Sequence, residues 1–540
     1  MSGLMDDVTI GDAFDRAVRT YAERPFLMVP ANPTRNYMPQ GARVSFAEAG
    51  ARVAALIDRY RRAGYGVGSR VATLMENHPD FVLHKLALNS IGACCIPINP
   101  DYRAGETAYL LAHSEPDLVI ALEWRRGQVE EALAQSTFKP PLVLAERVAT
   151  DLPDARRETA SGAVTPETPS SILYTSGTTG RPKGCVLSSG YEMSCGGWYA
   201  DLDGTARLRP GEDRVYNPLP LYHINAGVLS ILGVMVSGTC QILPDRFHPQ
   251  RWWPEIVETE ATIAHYLGVI AAMLNVQAPS PLDRAHKLRF ALGAGIEPQL
   301  HAGLEQRFGI PFVEVWGMTE MVRVLADTIE PRKVGTRAFG APKPGIEVRV
   351  EDDSGAEAAP GAPGELTIRH SAATPRRGFF SGYLHDDTAT AEAWRGGWFH
   401  TGDVVWRDEG GMVYFVDRKK NIIRRSGENI AAAEIEALLL THPAVQQAAV
   451  MAVKDEMREE EVLACIVLKT PRSAAEIAED LFTFCSQQLA YYKAPGWIHI
   501  VPQLPTTGTQ KIQKHQIYPG GMDPRQHPEM LDFRARKRRS

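Results

Sequence analysis

Apolar residues recur at two different spacings along the first part of the chain, and the two spacings alternate. Ala13, Phe14, Ala17 and Val18 fall on one face of a helical stretch over 11–21. Arg70-Val-Ala-Thr-Leu-Met75 is a short apolar run without helical spacing and predicts a buried strand. Glu76-Asn-His-Pro-Asp80 reads as a turn, 81–91 returns to helical spacing, and 94–98 is a second apolar run. Strand, helix and strand within about 30 residues predict a parallel βαβ unit. Further short strands are expected at 118–121 and 142–144, which places the region in an α/β layered architecture.

The pattern then changes twice. Residues 160–169, rich in Ser, Thr, Gly and Pro, form a loop that feeds a strand at 171–174 and a glycine-rich turn. Strand–helix alternation resumes over 212–320. Between 333 and 417 short strands with frequent Gly and Pro suit an antiparallel or barrel-like subdomain. The charged break Asp417-Arg-Lys-Lys-Asn421 predicts a boundary, giving units at 1–419 and 420–540. The basic run Arg534-Ala-Arg-Lys-Arg-Arg539 is expected to be a solvated, frayed end.

Composition narrows the class. The 540 residues carry 58 Lys+Arg against 64 Asp+Glu, a net charge of −6, with 44% hydrophobic and 23% charged positions. That is an ordinary globular composition and excludes a disordered chain. The acidic balance also argues against a nucleic-acid partner. No run is long and apolar enough to predict a membrane span, and the first residues lack the pattern of a secretory leader. Seven cysteines, none spaced C-x-x-C, predict reduced buried thiols and a cytoplasmic location.

The most informative segment is Tyr174-Thr-Ser-Gly-Thr-Thr-Gly-Arg-Pro-Lys-Gly184. Glycines let backbone N–H groups converge on an oxyanion, hydroxyls add donors, and Lys183 adds a compact positive charge. It follows a strand, as a phosphate cradle should. It is not a Walker loop, because Pro182 stands where the second glycine is required.

This string closely resembles the phosphate loop of the adenylate-forming superfamily, which includes acyl-CoA synthetases, peptide-synthetase adenylation domains and firefly luciferase. Four further strings match in order: Val315-Trp-Gly-Met-Thr-Glu320, Gly397-Trp-Phe-His-Thr-Gly-Asp403, the stretch from Asp417 to Ile430, and Leu504-Pro-Thr-Thr-Gly-Thr-Gln-Lys-Ile-Gln-Lys514. The resemblance covers essentially the whole chain. It implies a large N-terminal domain of stacked α/β sheets with a distorted β-barrel subdomain, and a small mobile α+β lid.

It also implies chemistry. An acid attacks the α-phosphorus of ATP, and a thiol then displaces AMP from the acyl-adenylate, so ATP, Mg2+ and CoA are expected. By resemblance Glu320, with Thr175, holds the magnesium. Thr319 and the hydroxyls and amides of Thr175, Ser176, Gly177, Thr178, Thr179 and Gly180 bind phosphate with Lys183. Asp403 and Arg418 bind ribose, and Trp316, Gly317 and Gly295 belong to the adenine and acyl walls. Trp316 replaces the usual Tyr. Lys511 neutralises the α-phosphate, although Gln510 replaces the usual preceding glycine and Lys514 remains an alternative. Lys420 is the hinge, Gly427 lets the pantetheine arm pass, and His223 gates the acyl carboxylate.

The acyl pocket is expected to draw on Trp198, Tyr222, His223, Asn225, Gly227, Gly293, Met321 and Val322. Trp198, Tyr222, Trp252, Trp253 and Trp316 are candidates for a quaternary-ammonium cage, or else ordinary packed aromatics. Pro331-Arg-Lys333, Phe484-Cys-Ser-Gln-Gln-Leu489 and Tyr492-Lys-Ala-Pro495 are similar to the carnitine/crotonobetaine-CoA ligase branch. A small carboxylic acid is the expected partner, and a homodimer is compatible with the resemblance. Loading of a carrier-protein phosphopantetheine, a non-catalytic nucleotide-binding role and a luciferase-like oxygenase stay open. No Gly-x-Ser-x-Gly elbow supports a serine hydrolase.

Overall fold

In the computed structural model, residues 5–175, 182–296, 298–352, 354–418, 422–505, 512, 514, 517–518 and 522–538 are described. The predicted βαβ unit is present. Arg70–Leu74 pairs in parallel with Cys94–Ile98, Arg70 opposite Cys94 and Leu74 opposite Ile98. Leu118–Ala121 and Leu142–Leu144 extend the same sheet in parallel on the other side. The intervening helix is Pro79–Ser90, so it begins inside the expected turn. Pro79 at the first helical position lacks an N–H that would have no partner there, and the His78 side chain accepts from the Asp80 N–H.

Pro169–Thr175 joins this sheet beside Cys94–Ile98, then pairs antiparallel with Lys183–Ser188. Thr175 lies opposite Lys183. The glycine-rich turn therefore connects two antiparallel strands, unlike the strand-to-helix passage of a Walker loop.

A second sheet of eight strands has a parallel centre that includes Ile263–Leu267, Phe290–Ala294 and Phe312–Met318. Phe312–Met318 turns back antiparallel into Met321–Ala326, with Met318 opposite Met321. Thr319 and Glu320 are the two residues of that tight turn. One large apolar core is shared by both sheets, and a separate cluster that includes Ala72, Ile96, Val119 and Ile172 packs on the first. The 333–417 region forms an antiparallel six-stranded sheet that includes Gly364–Arg369, Trp398–Arg407 and Val413–Arg418, as its strand pattern predicts.

Ile422–Arg425 begins a fourth sheet with its own core, which includes Ile423, Leu439, Val450, Ile466, Leu481 and Ile498. It docks through polar contacts against the loop and helix that follow Cys94–Ile98. The Lys493 ammonium lies 2.7 Å from Glu106 and 2.8 Å from Glu434, and Asn99 donates to the Tyr492 hydroxyl at 2.9 Å. Burial alone would push Lys493 down, but the two carboxylates hold it well above its ordinary value.

The expected frayed basic end is corrected. Arg534 lies over the Trp497 ring and pairs with Asp455, and Lys537 is fully buried against Glu461 and the Tyr492 carbonyl. Glu461 also takes the buried Arg425 guanidinium at 2.7 Å. Burial pushes Lys537 down to about 7, and its contacts with Glu461 and the Tyr492 carbonyl hold the end inside the fold. Among the described residues no helix is long and apolar enough to cross a membrane.

Candidate functional site

The tight turn sets the first functional carboxylate. Glu320 is 6% exposed, and its Oε1 accepts a 2.8 Å hydrogen bond from the Tyr383 hydroxyl. The Lys183 ammonium stands 5.1 Å from the centre of the same Tyr383 ring and 3.9 Å from Asp386. Tyr383 thus joins the anionic and cationic halves of the site. Burial, reinforced by the Glu320 charge, pushes its phenol far up, so it remains a donor throughout the working range. Cys185 on the neighbouring strand is raised by burial and then by Glu320, which keeps it a neutral thiol.

Thr319 is fixed through its carbonyl, which accepts from the Tyr191 hydroxyl at 2.6 Å. Thr175 faces Cys185, with Oγ1 to Sγ 3.8 Å. Thr175, Lys183, Gly317, Thr319 and Glu320 line one cavity of about 900 Å³. Its donor set of carboxylate and hydroxyl oxygens beside a lysine suits a hard cation carried on phosphate oxygens.

The other end of the cavity is built from both units. Tyr222 donates to Glu428 Oε1 at 3.2 Å, and His223 Nε2 lies 3.5 Å from Glu428 Oε2. Burial pushes the Glu428 carboxyl up, but His223, Tyr222 and Lys493 outweigh it and hold it below the usual range. Gly427, beside Glu428 on the cavity wall, has φ +85, and a Cβ there would stand 2.4 Å from Leu267. Only glycine fits both the left-handed backbone and the narrow passage.

Asp403 is 2% exposed and accepts from the Trp316 indole N–H at 2.9 Å. Trp316 itself is buried and stacks on Phe339 with ring centres 5.8 Å apart. It is not among the residues that line the cavity, although Val315 and Gly317 on either side are. Arg418 is the cross-strand partner of Asp403. Gly295, at φ +88, donates its N–H to Glu314 at 2.9 Å, and Glu314 also accepts from Tyr266 at 2.6 Å. Ser176, Gly177, Thr178, Thr179, Gly180, Lys420 and Lys511 lie outside the described residues.

Of the two readings of the aromatic candidates, ordinary packing holds for Trp252 and Trp253. Trp252 packs edge-on against Tyr216 and Phe247, and Trp253 stacks on His286, both inside the core. Of the five candidates, only Tyr222 lines the cavity. Consecutive indoles on one short helix satisfy core packing before they can converge on a ligand. Conversely, Tyr383 and Glu428 belong to the site without having been singled out. Glu428 stood inside a quoted family string, whereas Tyr383 reaches Glu320 only through the pairing of Gly382–Tyr383 with Lys183–Ser188.

Residues 14–384 match the family model described as AMP-binding enzyme, and residues 434–511 match its C-terminal domain. The chain is 30% identical over 473 residues to a crotonobetaine/carnitine–CoA ligase of Salmonella arizonae, covering 84% of this chain and 89% of that one. Among solved structures, it resembles a malonyl-CoA ligase in a ternary product complex with methylmalonyl-CoA and AMP. The identity is 28%, the TM-score 0.73, and the coverage 90% of this chain and 97% of the other. An o-succinylbenzoate CoA synthetase from Bacillus subtilis shares the fold at TM-score 0.79 and 23% identity, over 93% and 97% of the two chains.

Proposed function

The chain belongs to the AMP-binding enzyme family, and from that premise we propose how its residues perform the work of an ATP-dependent acid–CoA ligase. The enzyme activates a carboxylic acid as acyl-AMP and passes the acyl group to CoA. A carboxylate oxygen is a poor leaving group at neutral pH, whereas AMP is a good one. The protein's task is to bring two anions together and stabilise charge at the α-phosphorus.

In this reading Glu320 and Thr175 hold magnesium on the triphosphate, and Tyr383 orients Glu320. Magnesium, when bound, offsets the phosphate charge that would repel the incoming carboxylate. Lys183 and Thr319, with the turn 176–181, bind phosphate. Asp403 and Arg418 hold the ribose, with Trp316 bracing Asp403 from behind. His223 stands at the acyl carboxylate, and its pairing with Glu428 ties that position to the loop carrying Gly427. Units at 1–419 and 420–540 swing about Lys420, so that Lys511 serves adenylation and Gly427 serves thiol entry.

The observation that carries the reading is a shared cavity: Lys183 and Glu320 open onto the same space as His223, Gly427 and Glu428. In this reading phosphate chemistry and thiol passage meet at the acyl carbon. Seven buried, unpaired cysteines support a reducing, cytoplasmic setting. The substrate is a small or medium carboxylic acid; crotonobetaine and carnitine enter the test because a relative is named for them. A panel of acids with ATP, magnesium and CoA should release AMP together with an acyl-CoA. ADP release, or AMP formation that requires a carrier protein instead of CoA, would overturn the reading.

A further inference from the structure

The wall of this cavity holds one amide whose orientation is forced. Asn225 opens a π-helical segment, Asn225–Ser230, and lines the cavity. The chain can double back there because Gly227 has no side chain: a Cβ would lie 1.9 Å from the Leu221 carbonyl oxygen. Segments of π-helix are rare and concentrate at functional sites.

The Leu219 N–H donates to Asn217 Oδ1 at 3.0 Å, which fixes Asn217 with its amide nitrogen outward. That nitrogen donates to Asn225 Oδ1 at 3.0 Å. His265 Nδ1 lies 2.8 Å from the same oxygen, and Tyr199 Oη lies 2.7 Å from His265 Nε2. Burial pushes His265 down to about 3, so the ring is neutral and carries one proton. An amide oxygen can only accept, so that proton sits on Nδ1, and the Tyr199 hydroxyl donates to Nε2.

Two donors saturate the Asn225 oxygen. A flipped amide would set its NH2 against the Asn217 NH2, so the unflipped state is the only satisfied one. Among the described residues no acceptor lies within hydrogen-bond reach of Asn225 Nδ2. The lining of the cavity also includes the apolar Ile224, Leu229, Leu267, Val269, Ile270 and Met273. A pre-oriented donor on the cavity wall discriminates strongly, because an occupant without an acceptor leaves it unpaired.

We propose that Asn225 selects acids that carry a hydrogen-bond acceptor, such as a hydroxyl or carbonyl oxygen, along the acyl chain. This rests on reading the cavity as the acyl-adenylate site. Asn225 contacts the substrate, whereas Asn217, His265 and Tyr199 are positioning residues.

The test compares isosteric pairs, β-hydroxybutyrate against isovalerate and levulinate against isocaproate, by kcat/KM for AMP release. The oxygen-bearing member should be favoured by about 10-fold or more in at least one pair. In Asn225→Leu that ratio should fall to near one. Asn225→Asp keeps an oxygen for Asn217 and His265 but turns a second acceptor into the cavity, so it should lose the preference and gain turnover of a donor-bearing acid such as β-alanine. Ratios near one for both pairs in the unaltered enzyme, or a ratio that survives Asn225→Leu, would overturn the proposal while leaving the ligase reading intact. No AMP release with any acid would remove the ligase reading and the proposal with it.

Discussion

At the scale of residues, the site turns on what orients each charge. Glu320 has a tyrosine hydroxyl 2.8 Å away that cannot ionise in the working range. Removing that hydroxyl leaves the carboxylate poorly oriented and less well solvated. Tyr383→Phe should therefore lower kcat/KM for adenylation by about 10-fold, the worth of one hydrogen bond to a charged group. It should also raise the magnesium concentration needed for half-maximal rate. Glu320→Gln should cost more, on the order of 10²-fold. Magnesium titration of pyrophosphate exchange into ATP reads both. Unchanged magnesium dependence in both variants would remove Glu320 from the metal site.

Much of this site was legible as strings, because phosphate loops and tight turns are local. Glu320 followed from its motif, and Thr319–Glu320 as a two-residue turn is a matter of neighbouring positions. Tyr383 was not legible, since it reaches Glu320 only once a short strand far along the chain pairs with Lys183–Ser188. The indole of Trp316 also illustrates the limit. Its motif fixes its place on the strand, but the bond to Asp403 and the stack on Phe339 depend on a different sheet.

At the scale of elements, the junction of the two units matters most. Helix Ala104–Ser114 supplies Glu106, helix Ala432–Thr441 supplies Glu434, and Lys493 lies between them. Lys493→Met would leave two buried carboxylates facing each other without a cation, a loss of about 3–5 kcal/mol when a buried pair is broken. That penalty falls on the docked arrangement, in which Gly427 lines the cavity. Transfer of the acyl group from supplied acyl-adenylate to CoA should slow, while pyrophosphate exchange is affected less. Lys511→Ala should do the reverse, slowing adenylation by about 10²-fold or more and sparing thiol transfer. Equal losses in both half-reactions for both variants would defeat the division of labour between the units. The strand and helix pattern announced the C-terminal sheet, but not the ion cluster. Lys493, Glu106 and Glu434 are unremarkable charges in sequence, and their burial arises from docking. Lys537 is similar: a basic run at a chain end reads as solvated, whereas its partner Glu461 was brought to it by a separate strand.

At the scale of the whole molecule, buried histidines set the response to acid. Burial pushes His84 down to about 4 and His265 down to about 3, against an ordinary 6.5. Between those folded values and 6.5 the unfolded chain holds protons that the folded chain does not. Stability therefore rises with pH through that window and is lost as pH falls through it, by about 1.4 kcal/mol per pH unit for each group fully in its window. Above 6.5 neither histidine contributes a slope. The two rings should therefore make thermal midpoints fall steeply below about pH 6. His84→Gln should flatten the acid limb. A midpoint that does not move between about pH 7 and 5 would contradict the burial of both rings.

The predictions on activity depend on where the acid's oxygen goes. If the carboxylate attacks the innermost phosphorus, then an acid labelled with heavy oxygen in its carboxyl group must leave one labelled atom on the phosphate of AMP when the acyl group departs to CoA. Mass spectrometry of the released nucleotide reads this directly. The account predicts AMP carrying a single heavy oxygen. Unlabelled AMP, or label recovered in inorganic phosphate, would contradict it.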